Sequence, residues 1–249
     1  MLIKIRKEYL LAVGLALALL LFIILTKGGT VGLTSAEASP ASSDDFVIIL
    51  DPGHGGVDGG AVGVNGTVEK RINLEISLKL RDVFTAAGYT VIMTRDTDKS
   101  IHDSTADTIR EMKVSDLHNR LALTEMYPNS LLISIHQNTL GNSSVTGAQV
   151  FFSPNDPRSE QLAQCLQDSF NDGIQLAGDR EIKKAGKNLY LFYNAKNTAV
   201  LAECGFLSNS QEEAMLCDPD HQDDIVHCIY RGTLEYLSRR EESPSDGKS

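Results

Sequence analysis

A chain of 249 residues, 42% of them apolar, can build one domain with a full core and carry an appendage besides. Its formal net charge is −10, and residues 1–27 hold Lys4, Arg6, Lys7 and Lys27 against Glu8 alone, so the remainder is more acidic still. Such a body is repelled by nucleic acid and by anionic wall polymers, which excludes a nucleic-acid partner and leaves short-range contacts to hold any polymeric substrate.

In chain order, Lys4, Arg6 and Lys7 precede an uncharged run from Tyr9 to Thr26, rich in Leu, Ala and Ile. The run is just long enough to span a bilayer and longer than the usual apolar core of a signal peptide. Residues 1–27 are therefore predicted to form an uncleaved membrane anchor, with the preceding bases keeping the N-terminus in the cytoplasm and the rest outside. Ala36-Glu37-Ala38 would pass for a signal cleavage site, and the chain would then be secreted, but it lies well beyond the apolar run. Residues 28–44, small and polar, read as a flexible linker, residues 45–240 as one folded domain and residues 241–249 as a polar tail.

Within that domain Phe46–Leu50 is a short β-branched run that stops at Asp51-Pro52-Gly53-His54-Gly55-Gly56. Glu69–Ala87 is predicted as a helix, with Ile72, Ile76, Leu80 and Val83 at helical spacing and Gly88 as its stop. Thr90–Thr94 is the next strand. Asp96–Ser115 is polar and too long for a bare connection, so it is either a solvated excursion or a lid. Asp116 is expected to cap a short helix containing Leu117, Leu121 and Met126. Strands are predicted at Leu131–Ile135, Ala148–Phe152, Leu189–Tyr193 and Ala199–Ala202, and helices at Ser159–Asp172 and Gln222–Leu237. This alternation predicts an α/β fold, with a mostly parallel central sheet of about six strands and helices on both faces.

Open α/β sheets bind ligands outside the carboxyl ends of their strands. His54, His136 and Glu203 each follow an apolar strand run, and Glu69 opens a helix. Two histidines and one carboxylate can close three corners of a zinc site whose fourth position stays open for water, with a second carboxylate left for proton transfer. Each residue also has a plainer reading. His54 could serve only a glycine-rich turn, and Glu69 only the dipole of its helix, with Glu75 a rival nearby. A histidine or an ionised carboxylate at the end of an apolar strand, by contrast, must find a partner. His102, His118, His221 and His227 read as solvated or structural. Cys165, Cys204, Cys217 and Cys228 show no Cys-x-x-Cys pairing, and Cys165 and Cys228 fall on apolar helical faces, so buried free thiols are expected.

The motifs Asp51-Pro52-Gly53-His54-Gly55, Ser134-Ile135-His136-Gln137-Asn138 and Glu203-Cys204-Gly205-Phe206-Leu207-Ser208-Asn209 resemble those of the zinc-dependent N-acetylmuramoyl-L-alanine amidases of bacteria. The likeness runs from about Asp45 to Tyr236. It implies that His54, Glu69 and His136 bind one Zn2+ and that Glu203 is the catalytic acid/base. It further implies that peptidoglycan is the substrate, cut at the lactyl amide between N-acetylmuramic acid and L-alanine. Asn138 is a second candidate for binding substrate. Within the family the chain is most similar to the germination-specific sporulation amidases, which help to make muramic-δ-lactam in spore cortex. It shares with them a lone catalytic domain behind a hydrophobic segment, and Gly147-Ala148-Gln149 leading the strand after His136. This likeness implies a location outside the cytoplasm, between the forespore membranes, and leaves an accessory sporulation protein open as a partner. Gln137, Thr139 and Cys204 depart from the family pattern and bear on substrate preference. The alternatives are another zinc wall hydrolase, such as a carboxypeptidase or deacetylase, or a non-catalytic, membrane-tethered wall-binding partner. The intact four-residue set argues against the last.

Overall fold

The computed structural model describes residues 45–174 and 179–242. The expected anchor (1–27), the linker (28–44) and the tail beyond residue 242 lie outside the described residues, among which no helix is long and apolar enough to cross a membrane. The chain runs β1 (Val47–Pro52), α1 (Glu69–Ala86), β2 (Thr90–Met93), α2 (Ile109–Glu125), β3 (Ser130–Asn138), β4 (Gln149–Phe152), α3 (Pro157–Gly173), β5 (Lys183–Lys184), α4 (Tyr190–Asn194), β6 (Thr198–Phe206), α5 (Ser210–Leu216) and α6 (Pro219–Glu242).

The six strands form one sheet in the order β2-β1-β3-β6-β4-β5. Its sides alternate as a pleated strand requires. Ile48, Leu50, Ile133 and Val200 pack beneath α1, α3 and α6, while Val47, Ile49, Leu132 and Leu201 face α2 and α4. Helices therefore cover both faces.

The sheet is mixed, not mostly parallel. β1, β2, β3 and β6 run together, whereas β4 is antiparallel to β6, and β5 runs parallel to β4. The reason lies in the connection. Residues 139–148 join β3 to β4 without a helix, and a parallel return needs a crossover of a dozen or more residues.

Two helices also depart from the sequence-based expectation. Leu189–Tyr193 is not a strand but enters α4, closed by Tyr193 N donating to Leu189 O at 2.9 Å and Ala195 N to Leu191 O at 2.8 Å. Its adjacent buried pair, Leu191 and Phe192, suits one side of a helical turn better than an alternating strand. α2 begins at Ile109 rather than at Asp116, because Thr108 and Glu111 form a reciprocal capping box. Asp116 lies within the helix and pairs with Arg120. The buried face of α2 consists of Asp116, Arg120 and Thr124, so hydrophobic periodicity had little to register. All four cysteines are free, and Cys165, Cys204 and Cys228 are buried.

Strand register brings polar residues of neighbouring strands side by side. Asp51 stands beside Ser134 in the β1–β3 pair, and His136 beside Glu203 in the β3–β6 pair. Glu203 lies inside β6, which continues to Phe206, rather than at the strand's end.

The capping box offers a local check on α2. Thr108→Ala removes the acceptor for Glu111 N and should lower the unfolding free energy by about 1 kcal/mol in denaturant titration. An unchanged midpoint would show that the helix begins elsewhere.

Candidate active site

The strand β1 delivers Asp51 into the interior, its pairing with β3 ends where Pro52 stands beside Ile135 and Gly53 N donates to Ile135 O at 3.0 Å, and the chain then turns away at His54. Two arginines take up its carbonyls. Arg120 donates to Pro52 O at 2.9 Å and His54 O at 2.7 Å. Arg95 donates to Pro52 O and to Gly53 O, both at 2.9 Å, and to Lys70 O at 2.8 Å. Arg120 is countered by Asp51 and by Asp116, the latter at 2.6 Å. Asp51 also accepts from Ser134 Oγ at 2.6 Å and Thr94 Oγ1 at 2.7 Å. Burial would raise the Asp51 pKa, but Arg120 and the two hydroxyls bring it down to about 2. Arg95, buried and close to Arg120, is lowered to about 10.

So held, His54 adopts a left-handed backbone conformation with φ 62°. A side chain on Gly53 would place its Cβ 2.1 Å from His136 Nε2, so only glycine lets the loop pass under that ring.

Glu69 opens α1 from between the two imidazoles. Its Oε2 is 3.1 Å from His54 Nε2 and its Oε1 is 2.9 Å from His136 Nδ1. Ala61 N, Gln137 N and Asn73 Nδ2 also donate to it, at 2.8, 3.1 and 3.1 Å. Ligand atoms of His54, Glu69 and His136 all lie within 4.8 Å of one another, a grouping that could hold a metal ion. Burial works against the charged form of Glu69, yet His136 and His54 keep its carboxyl far below the usual range. Burial likewise opposes charge on His54, but its bonds to Asp58 and Glu69 raise it to about 9.

Glu203 has the opposite environment. Burial pushes its pKa up to about 7, with His136 only partly offsetting this. Its Oε2 is buried and has no hydrogen-bond partner. Glu203, His54 and His136 line one cavity of about 340 Å³ with Leu117, Tyr190 and Phe192. A roomier hollow of about 520 Å³ along residues 103–118 contains none of them, so volume is a poorer guide here than the convergence of polar groups.

The other candidates fall elsewhere. Asn138 is not part of that cavity's lining; its Oδ1 accepts from Thr139 N at 2.8 Å. Glu75 pairs with Arg71 at 3.1 Å and bonds Gln222. His102 bonds Ser100, and His118 packs on Tyr190. Sequence patterns alone did not single out Asp51, Asp58, Asn73, Arg95 or Arg120. Asp51 carried a usable signal, since it is a carboxylate closing an all-apolar strand. The arginines carried none.

Residues 48–235 match the Amidase_3 family of N-acetylmuramoyl-L-alanine amidases. The chain belongs to that family. It is 35% identical over 198 residues to the germination-specific N-acetylmuramoyl-L-alanine amidase of Bacillus subtilis, covering 80% of this chain and 82% of that protein. It is 31% identical to the amidase AmiA of Escherichia coli, over 82% of this chain and 80% of that one. Among solved structures it resembles the CwlD amidase of Clostridioides difficile, determined in complex with the GerS lipoprotein. That match has a TM-score of 0.75 and 36% identity, over 78% of this chain and 100% of that chain. The chain is thus an enzyme with peptidoglycan amidase activity, which sets aside the carboxypeptidase, deacetylase and silent wall-binding alternatives.

Removing the counter-charge of Asp51 tests the clamp beneath the site. Arg120→Met leaves a buried carboxylate unpaired and should cost about 3–5 kcal/mol at pH 7. The parent Asp51, lowered from 3.8 to about 2, contributes its stability above about pH 5 and loses it as pH falls towards 2. In the variant that carboxyl is no longer depressed, so the gap between the two proteins should narrow from pH 7 to pH 3 in denaturant unfolding. A gap independent of pH would mean that Asp51 and Arg120 do not depend on each other.

Proposed function

We propose that His54, Glu69 and His136 hold one Zn2+ and that Glu203 moves the proton in hydrolysis of the lactyl amide between N-acetylmuramic acid and L-alanine. The donor set is of the right kind, and its ligand atoms, one from each residue, all lie within 4.8 Å of one another. Two neutral imidazoles and a carboxylate are also the ligands zinc hydrolases use when one position must stay open. The observation that carries the reading is the Glu203 carboxyl, buried, without a partner at Oε2 and raised to about 7, beside that set.

When bound, zinc lowers the pKa of a water from 15.7 to roughly 7 and draws charge from the substrate carbonyl. Glu203, poised near neutrality, accepts the proton of the attacking water and returns it to the alanine nitrogen, without which the amine cannot leave. Asn73 and Gln137 N keep the Glu69 carboxylate turned between the rings. Leu117, Tyr190 and Phe192 supply an apolar wall that limits water around the scissile bond. Asn138, two residues beyond His136 on β3, is a second candidate for holding the substrate.

The N-terminal segment supports a cellular place. The uncharged run behind Lys4, Arg6 and Lys7 anchors the domain outside the cytoplasm. The likeness to the germination-specific relative supports work on spore cortex, in the formation of muramic-δ-lactam. The lipoprotein bound in the similar Clostridioides difficile structure supports an accessory partner of the same kind.

Two experiments bear on this. Glu203→Gln should fold, keep about one zinc per chain and lose about 10²–10⁴-fold in turnover, whereas His54→Ala and His136→Ala should each lose the metal by elemental analysis. Turnover of Glu203→Gln within a few-fold of the parent would remove Glu203 from the mechanism, and full zinc in either histidine variant would remove that ligand. Deleting the gene should spare vegetative growth and leave spores without muramic-δ-lactam. Normal lactam in their muropeptides would end the cortex assignment while leaving the amidase chemistry intact.

A further inference from the structure

The His54 ring lies between two carboxylates. Its Nε2 faces Glu69 Oε2 at 3.1 Å, and its Nδ1 faces Asp58 Oδ2 at 2.9 Å. Asp58 is held against this ring by its own backbone, since Gly55 N donates to Asp58 O at 2.9 Å and Asp58 N to Gly55 O at 3.1 Å. Its second oxygen is occupied too. Lys113 Nζ, reaching over from α2, lies 2.8 Å from Oδ1, and Gly60 N donates to the same atom at 3.3 Å. The carboxylate thus has no freedom to turn away from the imidazole.

A neutral imidazole carries one N–H, and a carboxylate can only accept. A carboxylate fixed at Nδ1 selects the tautomer protonated there and leaves the Nε2 lone pair free towards Glu69. We infer that Asp58 is a positioning residue that sets the tautomer and orientation of His54 for metal binding. Asp58 is not itself a ligand, because it meets the opposite nitrogen of the ring. His136 shows no matching arrangement: its Nδ1 faces Glu69, and its Nε2 lies over Gly53. Of the two histidines, His54 alone has a carboxylate behind the nitrogen that points away from Glu69. This inference rests on reading His54 as a zinc ligand.

The test uses the full chain in detergent, with zinc affinity measured by competition with a chromogenic chelator. Asp58→Ala should weaken zinc about 10–100-fold, the range seen when such outer carboxylates are removed, and saturating zinc should restore most of kcat. Asp58→Asn should lose less, because its amide oxygen can still accept the ring N–H. Lys113→Met should change affinity by no more than a few-fold, since an ion pair this exposed contributes little. Nitrogen-15 NMR of the zinc-loaded parent should show His54 protonated at Nδ1, and Asp58→Ala should lose that slowly exchanging proton, a signature that a merely structural role would not move. If the parent binds one zinc and both Asp58 variants bind it equally tightly, the positioning role is wrong although the ligand assignment stands. If the parent binds no zinc, the ligand assignment itself has failed.

Discussion

The site depends on one buried guanidinium. Arg120 arrives from α2, enters the interior between Asp51 and Asp116, and spends its remaining donors on the carbonyls of Pro52 and His54. Burying a charge is expensive even when it is paired, so such a group is a weak source of net stability compared with apolar packing. What it does accomplish is geometric. Where β1 ends and the chain turns away from the sheet, its carbonyls need donors, because a buried carbonyl without one is itself costly. Arg120 and Arg95 meet that need with planar forks that impose direction as well as charge. This explains why α2 docks with a polar face. It is held by ion pairs that at the same time fix the loop carrying His54.

The clamp also accounts for a conformation that would otherwise be unfavourable. Histidine in the left-handed region is uncommon, and such residues persist only where their surroundings over-determine them. Here the carbonyl of His54 is gripped by Arg120, while its ring is occupied at both nitrogens. Rigidity at His54 is matched by restraint at Glu69, which accepts bonds from three elements of the fold. Glu203 has been left without that company. Glu69 bonds His136 Nδ1 and Glu203 stands beside His136 in the strand register, with pKa values driven apart, Glu69 down by its imidazoles and Glu203 up by burial. Environments that separate the pKa values of neighbouring acids assign them different tasks.

Features with a local cause were legible in the sequence. Strands β1, β3 and β6 are apolar on both faces, and their buried runs stand out. So do the polar residues that interrupt them. Helix α1 announced itself by Ile72, Ile76 and Leu80. The features that escaped are those whose cause is tertiary. α2 buries Asp116, Arg120 and Thr124, which no hydrophobic pattern can distinguish from a solvated face, and its start was encoded only in the Thr108–Glu111 box. The reversal of β4 depends on which neighbour it finds after a short connection, and α4 on local bonds closing a short apolar stretch whose length alone does not tell strand from helix. Arg95 and Arg120 lie far in sequence from the carbonyls they serve.

Sequence distance also explains the far side of the site. Glu212 and Glu213, adjacent in α5, each take up backbone N–H groups far away in sequence or at the end of β6. Glu212 accepts from Gly147 N at 2.8 Å and from Phe206 N at 2.9 Å, while Glu213 accepts from Asn65 N at 2.8 Å and Thr67 N at 3.0 Å. One side of the site is therefore tied by guanidinium groups gripping carbonyls, and the other by carboxylates gripping amides. Loops secured through their backbones can vary their side chains without losing position. Val62, Val64 and Leu140 on those loops are exposed, while His136 and Glu203 sit on strands and Glu69 on α1.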